Sequence, residues 1–560
     1  MTLAISANRR APWVHDALVA FSLLLAASAF ILASHLRRPD VAISHEFLFS
    51  DPGTNLLLAE RLSEGARLYR DIGFSYGPLA IHPYRLWSEI FGNSPRSYSS
   101  LLGMFSLINV LLAYAVMRTR VSRTTAAIVV VVGLLTTILI PSSIMFGYQS
   151  SMYFVLERTF FLIAIAIWTP PTERTVGRAI ALGAILGLCQ WLRFGTAFFL
   201  GLSILLLDVL AIVLLAARRP QVERWLRISV VTLLSFLLVQ GAWVIYAFAT
   251  LPRADALDAV WPSYVLAGFA VWPEYLRRPE FVNVRHFAAQ QLTIVVSGLF
   301  AIAGTVLVCR RLLAAKRNAV QDTNYARLLG DLRLVLPLAF YTLGCVALFK
   351  SVYHFSQYAW TLPITAALLL ERNNRLFGAA FALLTIPTFA LTVKVNFVTK
   401  PPSDAVWLVA PNGAMVVVPA KVDRRVHALR EYAGGAGGRP LFIVSTGAGF
   451  HAMFDVPQPT RQSWHVLGFA RAGDDSTMLT TLATVPSAIV LSEHPPGEIP
   501  GADPCAWYNW RHFESGTCRQ LATRLAMSQS IRVDSTTWII PGIADSVRAA
   551  AQPGPLITAP

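Results

Sequence analysis

Apolar runs of roughly 17 residues or more, or nearly that, recur through positions 1–399, separated by short connections rich in Arg and Lys. A chain segment inside lipid has no water to satisfy its backbone, so runs of this length predict spanning helices. They fall at about 15–35, 100–117, 124–140, 153–168, 179–192, 196–216, 228–249, 290–309, 333–350, 357–371 and 376–395. The pattern predicts a polytopic α-helical membrane protein of about eleven spans. One long polar connection breaks it early, at 36–99, and within it NLLLAERLSEGARLY places Leu56, Leu57, Leu58, Leu62 and Leu68 at the spacing of a short amphipathic helix. Asp51 stands at the start of that helix and Gly65 ends or interrupts it.

From about residue 400 the periodicity changes. AVWLVAPNGAMVVVP predicts a hairpin across Asn412-Gly413, a pair suited to a tight primed turn. VDRRVHALREYA suits an amphipathic helix, PLFIVS and SAIVLS short buried strands with DDSTMLTTLATV a helix between them, and IRVDSTTWIIPG a closing strand pattern. Residues 400–560 therefore read as a soluble α/β domain, and 1–399 as the membrane domain. GGAGG is a turn, since it lacks the spacing and the following Lys-Ser/Thr of a phosphate loop.

Composition agrees: 55% of residues are hydrophobic and 14% charged, with mean hydropathy +0.53, where soluble domains carry about 25% charged residues. The net charge of +16 raises nucleic-acid binding as an alternative. The placement of the charge excludes it. Arg118, Arg120 and Arg123, then Arg174 and Arg178, then Arg218, Arg219, Arg224 and Arg227 occupy every second connection. That is the positive-inside pattern. It puts the N-terminus in the cytoplasm and, with an odd span count, residues 400–560 outside a cell's plasma membrane. The first run is longer than the core of a cleaved signal, roughly 7–15 residues, and reads as a retained span.

Cys189, Cys309 and Cys345 sit in apolar runs, while Cys505 and Cys518 form either a disulfide or two free thiols. No His or Cys spacing matches a metal site. Arg193 lies in WLRFGTAFF between two short spans, where a mid-membrane charge demands water or an anion. Lys350 and His354 flank another outer turn, FKSVYHFSQY. Glu157 and Arg158 are adjacent charges of opposite sign at the edge of a span, either internally paired or part of a site. Trp261, Trp272 and Tyr275 lie in a further outer loop, as interfacial aromatics do.

The order Asp51, Ala59, Leu62, Gly65, Tyr69, Asp71, then Gly77-Pro78-Leu79 resembles the first external loop of C-type membrane glycosyltransferases, which use polyprenyl-phosphate sugars and include protein mannosyltransferases and lipid A aminoarabinose transferases. Two positions depart from the pattern: Pro52 replaces a frequent Glu, and Gly77 replaces the first of two prolines. GLCQWLRFGTAFF and LFIVSTGAGFHAMFDVPQPTRQSW resemble two further segments of these enzymes. The resemblance implies a bilayer-embedded transferase acting on a lipid-linked donor and a lipid, glycan or protein acceptor, with inversion. It implies Asp51 as the general base. It places Asp71 in the same cavity, orienting the acceptor or holding a divalent cation, with Tyr69 packing beside it and Arg70 as an ion-pair partner. The departing phosphate needs a fixed cation, for which Arg193, Lys350 and His354 are candidates. A transporter or flippase of the same lipid intermediates is the competing reading. It favours repeated halves and polar residues deep in several spans, whereas here the polar chemistry gathers in outer loops.

Overall fold

The computed structural model describes residues 11–43, 46–49, 51–74, 76–131, 152–169, 175–192, 200–206, 209, 219–260, 302–303, 305–307, 309–310, 314, 330–341, 361–371, 393–435, 437–443, 447–460, 474–485, 487–491, 530–534 and 537–541. Arg193, Lys350, His354, Cys345, Cys505, Cys518 and the aromatic loop with Trp261, Trp272 and Tyr275 lie outside them.

The chain is mostly helical with a few strands. Among the described residues three helices are long and apolar enough to cross a membrane: Trp13–Arg37, Pro95–Arg118 and Glu223–Thr250. Shorter apolar helices cover Met152–Trp168 and Val176–Leu192, and Thr361–Glu371 coincides with the tenth expected span. Helix Ala11–Arg37 stops where Pro39 denies the next turn a backbone donor. Pro95–Arg118 starts at Ser94, whose hydroxyl accepts the Ser97 N–H at 3.1 Å, with Pro95 in the first turn.

Pro95–Arg118 is the central post. Half of its apolar window is buried, against 17% for Trp13–Arg37 and 11% for Glu223–Thr250, so the two outer helices present most of their surface outward. It packs on Ala11–Arg37 and Met152–Trp168. Asn109 is fully buried between the helices; it donates to the Val155 carbonyl at 3.1 Å and accepts from the Thr159 hydroxyl at 2.8 Å. At the basic end, Arg118 and Arg123 both bind Asp16 of the first helix, at 3.0 and 2.8 Å, and the Tyr114 hydroxyl donates to the same carboxylate. Arg120 turns inward and donates to the Thr169 carbonyl. The arginines expected to orient the chain therefore also bolt its helices together.

Strands β1 (Ala405–Val409) and β2 (Met415–Pro419) form the expected hairpin with Val409 opposite Met415. The turn is not primed. The Gly413 N–H donates to the Ala410 carbonyl, and of the loop residues only Gly413 has positive φ, at 80°. Pro411 fixes its own φ near −65°, which selects an ordinary type I turn followed by a glycine bulge. Beyond it, β3 (Leu441–Ile443), β4 (Ala488–Leu491), β5 (Ile531–Arg532) and β6 (Trp538–Pro541) form one sheet in the order β3-β4-β6-β5. β3 and β4 are parallel, joined by a connection that carries helices Ala448–Phe454 and Asp474–Thr484; β6 is antiparallel to both neighbours. The amphipathic helix Ala420–Ala433 ends at Gly434 in the left-handed region.

Asp16→Asn removes the charge shared by two guanidiniums. Hydrogen bonds to charged groups are worth about 1.5–3 kcal/mol. The variant is expected to melt several degrees below wild type in detergent, and an unchanged melting curve contradicts the role given to the clasp.

Candidate active site

The polar connection after the first helix is held from both ends. Arg38 binds Asp40 at 2.7 Å and donates to the Thr399 carbonyl at 3.2 Å, tying the start of the loop to the chain just before β1. The Ile43 carbonyl accepts the Val417 N–H of β2 at 2.8 Å. Phe47 and Leu48, in the short helix Glu46–Phe49, are fully buried.

The helix Asp51–Ser63 follows at once, opening on Asp51 and closing into a turn with Gly65 at φ 96°. It is not the surface helix that its periodicity suggests. Every residue from Pro52 to Ala59 is buried, Thr54 and Asn55 included. The reason is a second helix, Ala448–Phe454, laid across its beginning. Gly53 and Gly449 meet backbone to backbone beside the Phe47 carbonyl, and a methyl group on either glycine would overlap that oxygen. Around this contact Phe49 stacks on Phe450 with centroids 6.3 Å apart, and the Arg425 guanidinium lies 5.9 Å from the Phe49 ring centre. Arg425 is in turn buried against Asp534 at 2.7 Å. On its other side the helix is fixed by Asn55 donating to the Tyr98 hydroxyl at 3.2 Å and by Asn93 donating to the Leu56 carbonyl at 2.9 Å.

Tyr69, Arg70 and Asp71 build a turn. The Asp71 carboxylate accepts the Arg67 N–H at 2.9 Å through Oδ2, and Oδ1 lies 3.6 Å from Arg70 Nε. Both side chains are about half exposed. Tyr69 is buried with φ 70°; its hydroxyl donates to the Tyr76 carbonyl at 2.7 Å and its ring meets Trp243 edge-on at 6.0 Å. Packing and the ion pair expected of Tyr69 and Arg70 are present, and both Asp71 oxygens face donors inside its own turn.

The Gly77-Pro78-Leu79 segment enters between two apolar helices. Tyr76 stacks on Tyr153 at 4.2 Å, and the Gly77 N–H donates to the Leu192 carbonyl at 3.3 Å. A side chain at 77 would overlap the Trp191 carbonyl, which explains glycine where the resembled pattern has proline. The contact brings the loop to the end of Val176–Leu192, the helix that Arg193 follows in sequence. Glu157 and Arg158 are each 2% exposed, and both are engaged by partners within the fold. Among the described residues no group of three or more His, Cys, Asp or Glu is placed to hold a metal ion.

Sequence reasoning passed over a second layer at the same interface. Glu60 is half-buried, and its carboxyl is pushed up to about 7, chiefly by burial and then by Glu64 and Asp455, with Arg61 opposing. His451 is buried, with Nδ1 2.8 Å from the Val456 carbonyl, and burial pulls it down to about 4. Only the GAGFH run, small residues leading into an apolar helix, hinted in the sequence at a close approach there.

No protein-family model and no curated protein matches the chain. Among solved structures it overlaps the oligosaccharyltransferase of Archaeoglobus fulgidus, solved with zinc and sulfate, at TM-score 0.44 and 13% identity over 84% of this chain and 68% of that one. It overlaps ArnT of Cupriavidus metallidurans, solved in the apo state, at TM-score 0.40 and 12% identity over 95% of this chain and 99% of that one. Likeness at this level assigns no activity.

Gly449→Ala is expected to cost about 1–3 kcal/mol, the usual penalty of overpacking, and to expose the 440–460 region to protease. Gly103→Ala, on a helix face with open space around it, is the control and keeps or raises stability, since alanine favours a helix interior over glycine. Equal behaviour of the two variants contradicts the contact.

Glu60 gives a pH prediction. Its folded pKa lies above the ordinary 4.5, so the fold retains a proton that the unfolded chain releases, and stability is lost as pH rises from about 4.5 to about 7. His451 acts oppositely, losing stability as pH falls from 6.5 to about 4. Glu60→Gln removes the first effect alone. The variant is expected to melt above wild type at pH 8 and level with it at pH 4.5; the reverse order at pH 8 rules the assignment out.

Proposed function

We propose that the chain is a membrane glycosyltransferase that moves a sugar from a polyprenyl-phosphate donor to an acceptor hydroxyl at the outer face of the plasma membrane, with inversion. The acceptor is a lipid, a glycan or a protein. Asp51 is the general base. Its carboxylate takes the proton of the acceptor hydroxyl as that oxygen bonds to the anomeric carbon. The bond from the anomeric carbon to the phosphate breaks on the opposite side, and polyprenyl phosphate leaves as the anion. Arg193, Lys350 and His354 are the candidates to meet its charge. The N-terminus lies in the cytoplasm and residues 400–560 outside.

One observation carries the reading. Asp51 opens a buried helix soon after the first span, and the backbone of that helix is locked at Gly53 against a helix from the far end of the chain. A proton acceptor works only when held within hydrogen-bond reach of its partner, and this packing fixes the backbone from which Asp51 projects. The remaining motif positions have structural roles: Ala59 and Leu62 are buried, Gly65 and Tyr69 adopt positive φ, Asp71 closes a turn and Gly77 sits against Trp191. With both Asp71 oxygens engaged, a cation shared between Asp51 and Asp71 gains no support.

The test uses the purified protein in bilayers with labelled polyprenyl-phosphate sugar and membrane extract as acceptor. Asp51→Asn is expected to lower transfer by about 10²–10⁴-fold, the usual loss with a general base, while melting near wild type. Asp71→Asn is expected to lose far less. Wild-type transfer by Asp51→Asn removes the base, and passage of donor across the bilayer without a new glycosidic bond favours the transporter.

A further inference from the structure

The helix His82–Phe91 has an apolar face that no part of the described fold covers. Leu86 and Ile90 on this face are 60% and 74% exposed, and Phe91 at the end of the helix is 57% exposed. The opposite face is buried: Tyr84 and Ser88 point into the loop, and the Tyr84 hydroxyl donates to Asn93 at 2.8 Å. Between these faces lie two flanks of different chemistry. One carries Arg85 and Glu89, paired at 3.1 Å and partly exposed. The other carries Trp87 and Phe91, with ring centres 4.2 Å apart.

The aromatic flank is the one joined to a membrane-spanning candidate. The Trp87 indole N–H donates to the Ser97 carbonyl and to the Ser100 hydroxyl, both at 3.1 Å, in the first turns of Pro95–Arg118. Ser100 and Met104 belong to the outward stripe of that helix. The open face of His82–Phe91 is therefore continuous with the surface the span presents to lipid, and the ion pair lies on the flank turned away from it. Gly92, at φ 82°, allows the reversal between the two helices.

We propose that His82–Phe91 is an in-plane anchor in the lipid interface at the N-terminal end of Pro95–Arg118. Leu86, Ile90, Phe91 and the edge of Trp87 enter the boundary between headgroups and acyl chains, and Arg85 and Glu89 stay in water. Tryptophan at that depth matches its preference for membrane–water boundaries. The occupant is lipid because the patch joins a lipid-facing stripe and its polarity follows the direction of the span. The anchor also reaches the candidate site: Asn93, bound by Tyr84, donates to the Leu56 carbonyl of the Asp51 helix. The depth of the anchor thus sets the height of the first loop above the bilayer. The inference is independent of whether Asp51 is the base.

The test places the photoreactive residue p-benzoylphenylalanine at Ile90, at Glu89 or at Leu238, in the full chain reconstituted into phosphatidylethanolamine–phosphatidylglycerol nanodiscs. Leu238, 76% exposed on the helix Arg219–Thr250, calibrates labelling by lipid. After illumination, mass spectrometry of the digested protein is expected to find lipid adducts at Ile90 within a few-fold of those at Leu238, and at least about tenfold fewer at Glu89. Absence of lipid adducts at Ile90, equal yields at Ile90 and Glu89, or a cross-link from Ile90 to a second copy in place of lipid would each overturn the proposal.

Discussion

Two glycines and a carbonyl set the arrangement of this chain. Gly53, Gly449 and the Phe47 oxygen approach so closely that no β-carbon fits among them. Such contact requires residues without side chains, and it binds a loop beginning at residue 38 to a helix beginning at 448. It holds one side of the helix that Asp51 opens, while Asn55 and Asn93 hold the other. Phe49 reaches Phe450, Arg425 reaches Phe49, and Asp534 completes the chain of contacts from the sheet region to the first loop. The region after residue 400 thereby becomes part of the scaffold of the candidate site.

The same interface buries groups that titrate. A carboxyl raised toward neutrality and an imidazole held neutral sit on facing helices. Both owe their shifts chiefly to lost hydration, and they respond to pH in opposite senses. Within the slightly acidic range the two effects offset each other. Both responses are complete by about pH 7, so neither changes the docking of the two helices on the alkaline side.

Charge placement serves two ends. Arg118 and Arg123 fall where the positive-inside pattern wants cations, and they also share Asp16 of the neighbouring helix. Arg120, one of the same group, is buried against a carbonyl. At the other end of the same span, Trp87 and Phe91 meet the first turns while Arg85 and Glu89 turn away. The basic end and the aromatic end of Pro95–Arg118 thus carry the residues that the two boundaries of a bilayer favour.

Long apolar runs, the place of the first polar loop and the alternation of strand and helix after residue 400 were legible because each depends on local periodicity. So was Gly65 as a helix end. The hairpin was legible, though not its turn type: Pro411 overrode the Asn-Gly pair. Periodicity also predicted a surface helix at Asp51–Ser63, and tertiary packing made it a buried one. A hydrophobic stripe reveals that one face is covered, but a partner some four hundred residues away leaves no trace in the spacing. The roles of Gly53, Gly449, Glu60 and His451 arise only where the two helices meet. Spacing thus determined the long apolar helices and where the motif acids fall, but not the short helices His82–Phe91 and Ala448–Phe454; three-dimensional contact decided that Asp71 spends its oxygens on its own turn and that the Asp51 helix is clamped, because both depend on which backbone groups come within bonding distance.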